Sequence, residues 1–258
     1  MTDPTNPAGV VLRDGSTTAD IRLDRLPEFD EASRDYPVRS LLAAAQPVTK
    51  LWTLPGTDAK VVLDQGREGA CVGFGTTNEL RFNPVPIRKA DGTLLDARFA
   101  REYVYWEAQK NDPWPGGSYP GASPTYEGTS VLAGIKRVAA LGLYTEYRWA
   151  FSEADLALAV SNIGPAVLGV NWYAGMYKPN QMGYIRPTGA LQGGHCVLCI
   201  GYHAERGYYT LYNSWGPSWG INGTCKISRA YMANLLKANG EACIITGRAV
   251  ASGYTAGA

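Results

Sequence analysis

The chain has 258 residues, 45% of them hydrophobic and 18% charged, with a formal net charge of +1. That length can bury a sizeable core in one large domain or two small ones. The near-neutral balance gives no reason to expect nucleic acid or a membrane surface as partner, and no apolar run is long enough to suggest a spanning helix.

Residues 1–21 are rich in Thr, Asp, Gly and Pro and read as a disordered polar arm. The opening MTDPTNPAGVVLRDG lacks the apolar stretch of a secretory signal. From Arg22 to Thr49 short apolar clusters alternate with charges. This stretch reads as an extension docked on the domain surface, with a short helix around Ser40–Ala45 or an inhibitory pro-segment as alternatives. It is short for a pro-region that must fold by itself. Lys50 to Leu63 (KLWTLPGTDAKVVL) reads as extended chain with a Pro-Gly turn and a short strand, VVL.

A helix is expected from Cys71 towards Arg81. Gly73 and Gly75 lower its intrinsic helicity by about 1 kcal/mol each relative to Ala, and would let another element approach closely. A second helix is expected over 96–110, with Phe99, Tyr103 and Trp106 on one face as core residues. The following Pro/Gly-rich loop, residues 111–125, has the character of a binding-site border or a simple connection. Its carboxylate Asp112, like Glu127 just beyond, reads as a solvated loop group or a contact for a basic substrate. Thr129 or Ser130 caps the helix VLAGIKRVAALG, which Gly142 closes. Residues 144–151 read as a crossover, and Ser152 starts a short helix ending near Asn162.

After Gly164-Pro165 the pattern changes. AVLGVNWY, HCVLCIGYH, YYTLYNSWG and TCKIS combine β-branched and aromatic residues between turn signals, and read as strands. A helix at 229–238 and a closing strand, EACIITGRAVAS, end the pattern. A helical first half followed by a stranded second half predicts an α+β protein with two lobes.

The chemistry centres on residues 64–78, DQGREGACVGFGTTN. A cysteine at a helix N-terminus sits at the positive end of the helix dipole, which lowers its pKa and favours the thiolate nucleophile. Such a nucleophile needs a base and a group to orient that base. Only two histidines are available. His203 reads as a solvent-facing turn residue. His195 begins an apolar strand after Gly193 and Gly194, which would leave one side of the imidazole open to substrate. Asn213-Ser-Trp-Gly-Pro-Ser-Trp-Gly220 carries two tryptophans, and a buried one would shield any hydrogen bond the Asn213 amide makes. The five cysteines are odd in number and lack the spacing of a disulfide framework, so a reducing, cytoplasmic compartment is expected, with release by lysis or phage-particle association compatible. Cys196 and Cys199 would face opposite sides of a strand and so hold no metal. Cys225 and Cys243 read as buried apolar residues.

Gln65-Gly66, Gly69-Ala70-Cys71, Gly194-His195 and Asn213-Ser214-Trp215-Gly216 with Trp219-Gly220 resemble the papain/cathepsin family of cysteine peptidases, in the family's order. His195 follows Cys71 by 124 residues and Asn213 by 142, against about 130–150 for that family. The resemblance spans roughly residues 50–250 and takes in Asn162-Ile-Gly-Pro165 and Glu241-Ala-Cys243. It implies a papain-like two-lobe α+β fold, with a helical N-terminal lobe, an antiparallel β-barrel-like C-terminal lobe and the active site in the cleft. The implied boundaries are 1–49 for the extension, 50–151 for the helical lobe and 152–258 for the β-rich lobe. It further implies Cys71 as nucleophile paired with His195, Asn213 orienting the ring, and Gln65 with the Cys71 N–H as oxyanion donors. Trp215 would shield the His–Asn bond and, with Gly193, Gly194, Gly128 and Val170, border the substrate. Peptide-bond hydrolysis through a thioester, without metal or organic cofactor, is the implied activity. A peptide or protein is the implied partner, and a monomer the default state.

Several residues depart from the family. Glu68 stands where secreted members carry a disulfide cysteine, and Val72 where an aromatic usually follows the nucleophile. Tyr126-Glu127-Gly128 is the nearest counterpart of the usual Cys-Asn-Gly-Gly stretch. Cys243 lacks its usual partner, and the helical pro-region pattern is not recognisable in residues 1–49. The chain most resembles the family's disulfide-poor actinobacterial and phage proteins. A peptidoglycan-directed amidase or endopeptidase with the same Cys-His-Asn chemistry, and a non-catalytic binding protein on this fold, are the alternatives.

Overall fold

The structure, a computed structural model, describes residues 23–56 and 61–248 together with two short strands before them. Those strands, β1 (Val10–Val11) and β2 (Thr17–Thr18), pair antiparallel, so part of the stretch read as disordered is paired. The rest of that reading lies outside the described residues. Then follow β3 (Arg25–Leu26), two 3-10 turns at Glu31–Asp35 and Val38–Leu41, and β4 (Lys50–Leu51). The expected helix at Ser40–Ala45 is thus a shorter, tighter turn that starts after Pro37. The VVL stretch is not a strand: Val61 is exposed, and the nearest pairing is an isolated bridge from Asp64 to Trp215.

Helix α1 (Cys71–Arg81) is buried along its whole length. Its glycines account for that: a Cβ on Gly73 would stand 2.4 Å from the Ala100 carbonyl, and one on Gly75 would stand 2.6 Å from Cys196 Sγ. The expected helix at 96–110 is a π-helical turn, Phe99–Tyr105, running into α2 (Trp106–Gln109). Phe99 and Tyr103 stack in it at 5.9 Å, Phe99 buried in the core and Tyr103 half-buried against it. Next come β5 (Thr129–Ser130) and α3 (Val131–Ala140), which Ser130 caps by accepting from the Ala133 N–H. The expected crossover at 144–151 is instead a strand, β6 (Tyr144–Trp149). Helix α4 (Glu153–Asn162) is capped by Ser152, and β7 (Ala166–Tyr173), β8 (Leu191–His203), β9 (Tyr208–Tyr212) and β10 (Thr224–Ser228) follow. Helix α5 (Arg229–Lys237) and β11 (Glu241–Arg248) end the described chain.

Seven strands form one antiparallel sheet in the order β10-β9-β8-β7-β11-β6, with β4 on β8. Side chains alternate across it, as a period of two requires. Val167, Cys196, Leu198 and Cys243 pack with α1 and α3 on one face. Leu168, Val170, Val197 and Cys199 pack with α4, Trp172, Trp215 and Trp219 on the other. The five cysteines are therefore buried and free, and Cys196 and Cys199 do face opposite sides. Of the described helices, none is long and apolar enough to cross a membrane.

Residues 23–26 are not docked on the surface as an extension. Strand β3 pairs parallel with β5, and Leu23 is 1% exposed within the core that holds Val170 and Trp172. This places residues 23–26 inside the molecule, between α1, β5 and β8.

Candidate active site

Three pieces of chain meet at the N-terminus of α1. The loop before it is zipped to the end of β9: the Gln65 N–H donates to the Ser214 carbonyl at 2.9 Å and the Gly216 N–H to the Leu63 carbonyl at 3.2 Å. The Ser214 hydroxyl donates to Gln65 Oε1 at 2.7 Å, which fixes the amide with its nitrogen as donor. That nitrogen donates to the Glu68 carbonyl at 3.0 Å. Gln65 and Asn213 are thereby held to one another through a single residue, Ser214.

His195 lies in β8 opposite Val170 of β7 and is fully buried. One ring nitrogen, Nε2, lies 2.8 Å from Asn213 Oδ1. The Ser214 backbone N–H also donates to Oδ1, at 2.8 Å, so that oxygen is the acceptor and Nε2 carries the hydrogen. A neutral ring in this tautomer has its lone pair on Nδ1, which no protein group hydrogen-bonds. Trp215 stacks on the imidazole at 4.7 Å and Trp172 meets it edge-on at 4.8 Å, so the His–Asn bond is walled from water. Burial lowers the His195 pKa to about 4, against the opposing effect of the Asn213 bond.

Cys71 is the first residue of α1, and its thiol does not engage the histidine. Sγ donates instead to the Leu23 carbonyl at 2.7 Å. Burial pushes its pKa up to about 12, with Asp24 adding to the rise and Arg25 opposing it. This reverses the lowered pKa expected from the helix dipole. The dipole supplies about 0.3–1 kcal/mol, whereas removing a charged group from water costs several. Burial beneath the covering segment therefore outweighs the dipole and disfavours the thiolate.

The glycines expected to border substrate border this segment. A Cβ on Gly194 would stand 2.0 Å from the Arg25 carbonyl, and one on Gly128 would stand 2.2 Å from the Asp24 carbonyl. Gly193 lies against Leu23, at 3.4 Å by the same measure. The expectation that Gly193 and Gly194 leave the imidazole open is thus corrected: the space they give is filled by the chain itself. Trp215 and Val170 are 1% and 0% exposed, one covering His195 and the other in the core, so neither offers a surface to substrate here. Asp24 takes a left-handed backbone, φ 59°, to thread this course. Among the described residues no group of three His, Cys, Asp or Glu is placed to hold a metal ion.

Glu68 ties the loop before α1 to its surroundings. Its carboxylate accepts from Arg101 Nε at 2.6 Å, Trp106 Nε1 at 2.7 Å and Ser118 Oγ at 2.9 Å. Arg101 in turn donates to the Gln65 carbonyl at 3.2 Å. Asp112 and Glu127 are likewise internal acceptors, the first for Thr129, the second for the Gly69 N–H. Replacing Glu68 by alanine is expected to cost about 2–3 kcal/mol, seen as a thermal midpoint lowered by roughly 4–10 °C. A midpoint within 1 °C of the parent chain would show that the loop is held without it.

A sequence profile of the papain family of cysteine proteases matches residues 103–251, more than half of the chain. The chain belongs to the papain family of cysteine proteases. Oryzain gamma chain of Oryza sativa subsp. japonica is 28% identical over 215 residues, covering 72% of this chain and 56% of that protein. Gut-specific cysteine proteinase of Caenorhabditis elegans is 37% identical over 80 residues, covering 30% of this chain and 24% of that protein. This papain-family chain thus spans about half the length of the first of these. The crystal structure of xylellain, a cysteine protease from Xylella fastidiosa, superposes with a TM-score of 0.62 at 21% identity, covering 90% of this chain and all of that one, a likeness of fold. The profile takes in His195 and Asn213, while Gln65 and Cys71 precede it and rest on the geometry above.

Proposed function

We propose that the chain is a papain-type cysteine peptidase acting on peptides or proteins, held closed by its own residues 23–26. The observation that carries this is the Gln65–Ser214–Asn213–His195 network converging on the N-terminus of α1, where Cys71 is the first residue. With the segment displaced, Cys71 gives its proton to His195 Nδ1, and the sulfur attacks the scissile carbonyl carbon. The oxyanion so formed is met by the Cys71 N–H and the Gln65 side-chain amide. His195 then returns the proton to the leaving amine as the C–N bond breaks. A water molecule, activated at the same nitrogen, cleaves the thioester.

The covering segment resists cleavage for a geometric reason. Attack needs the carbonyl carbon facing sulfur and its oxygen directed at the two donors. Here the thiol hydrogen-bonds to the Leu23 oxygen, so that oxygen is turned towards the nucleophile.

The test is intact-mass analysis after exposure to a peptidyl-epoxide probe. It uses the full chain carrying Leu23→Asp, which drives a carboxylate into an apolar site and so expels the segment. One adduct is expected, lost when Cys71→Ala is added. Labelling that survives Cys71→Ala, or none at all, would overturn the reading.

A further inference from the structure

A cavity of about 230 Å³ lies beside the β6–β11 pair, whereas His195 sits on the β7–β8 pair. One wall comes from the segment after β3, through Phe29, Glu31 and Arg34. The other comes from the body, through Trp149, Phe151 and Leu236. Phe29 and Phe151 are 65% and 54% exposed, two large apolar side chains that leave the space between them unfilled. Trp149 is 5% exposed, and its indole N–H has no acceptor among the described residues. Glu31 and Arg34 belong to one 3-10 turn, where side chains three residues apart share a face. Among the described residues neither pairs with the other or with any further charge. The remaining carboxylates of the lining are engaged. The Ser130 hydroxyl donates to Glu28, the Ala32 N–H to Asp30 at 2.9 Å with Lys136 at 3.6 Å, and Arg25 to Glu241.

We propose that this cavity binds a free amino acid with a large apolar side chain, such as phenylalanine, and that its binding holds residues 23–26 docked. An amino acid carries two opposite charges close together beside one apolar group, which is the pattern the lining presents. Its ammonium pairs with Glu31 and its carboxylate with Arg34, while its side chain fills the space between Phe29 and Phe151. An oxygen lodged in the cavity would also supply the acceptor that Trp149 lacks. Removing either charge from the ligand leaves Glu31 or Arg34 without its partner and weakens binding. The coupling follows from which pieces of chain make the walls. Only Pro27 separates β3 from the wall that begins at Glu28, so a bound ligand touches the docked segment and the body at once. A site assembled only in the docked state must stabilise that state when filled. This coupling rests on the closed peptidase reading above; the binding does not.

The test titrates the full chain with L-phenylalanine in a calorimeter. One site is expected, weakened about fivefold or more for N-acetyl-phenylalanine, which lacks the ammonium, and for phenylalaninamide, which lacks the carboxylate. Glu31→Gln should weaken phenylalanine but not N-acetyl-phenylalanine, and Arg34→Gln should weaken phenylalanine but not phenylalaninamide. Both side chains are exposed, so both variants keep the fold. With phenylalanine at about ten times its dissociation constant, iodoacetamide labelling of Cys71 should slow about tenfold. No binding, or equal binding of the three compounds, would overturn the proposal. Binding that leaves the labelling rate unchanged would sink the coupling. If the Leu23→Asp chain also labels no faster than the parent without ligand, the closed reading has failed instead.

Discussion

In the full chain carrying Leu23→Asp, Cys71→Ala and His195→Ala are each expected to lower kcat/KM for peptide hydrolysis by about 10⁴-fold or more. The double variant is expected to be no worse than either alone. The reason is that the two groups act as one unit. The sulfur is a competent nucleophile only when Nδ1 takes its proton, and Nδ1 has no reacting partner once the sulfur is gone. Asn213→Ala should act through the ring: it removes the acceptor that fixes Nε2–H, so the opposite tautomer and other ring orientations become populated. Its loss should fall mainly in kcat, since Asn213 is buried and acts through the imidazole. Steady-state kinetics on the four variants decides the matter. Additive losses for Cys71 and His195 would show two independent contributions and would remove the paired mechanism.

The residues of the candidate site were legible in the sequence because the chemistry proposed for them restricts residue type. A thiol at a helix start, one histidine after two glycines and an asparagine beside tryptophan leave few other readings. The strands of the second half were legible for a similar reason, since β-branched and aromatic residues at a period of two suit a sheet covered on both faces. Strand β6 was missed because YTEYRW is short and lies among charges; its partner, β11, is about 100 residues away. VVL was overread, because a β-prone triplet without a neighbour to pair with is not a strand. The course of residues 23–26 had no local signal at all. Its anchors are contacts of Leu23 with Cys71 and of Arg25 with Glu241, 48 and 216 residues apart in sequence. The same contacts decide the site's electrostatics, which is why the Cys71 pKa moved opposite to the expectation from the helix dipole alone.

Alkylation of Cys71 by iodoacetamide at pH 7 is expected to run about 10²–10⁴-fold faster in the Leu23→Asp chain than in the parent. Two effects point the same way. Burial pushes the Cys71 pKa up and so disfavours the thiolate, and the segment also blocks the reagent's approach. The parent therefore reacts only through brief openings, so the rate ratio measures how firmly the segment is docked. Leu23 supplies about 1.5–3 kcal/mol of apolar burial, and breaking a buried pair such as Arg25–Glu241 costs about 3–5 kcal/mol, which brackets the expected range. With the segment expelled, water returns and the proton moves to His195 Nδ1, so the thiolate persists at neutral pH and the rate should level off there. Equal rates for the two chains would mean that the Leu23 carbonyl does not guard the nucleophile in solution, and that residues 23–26 are only packing.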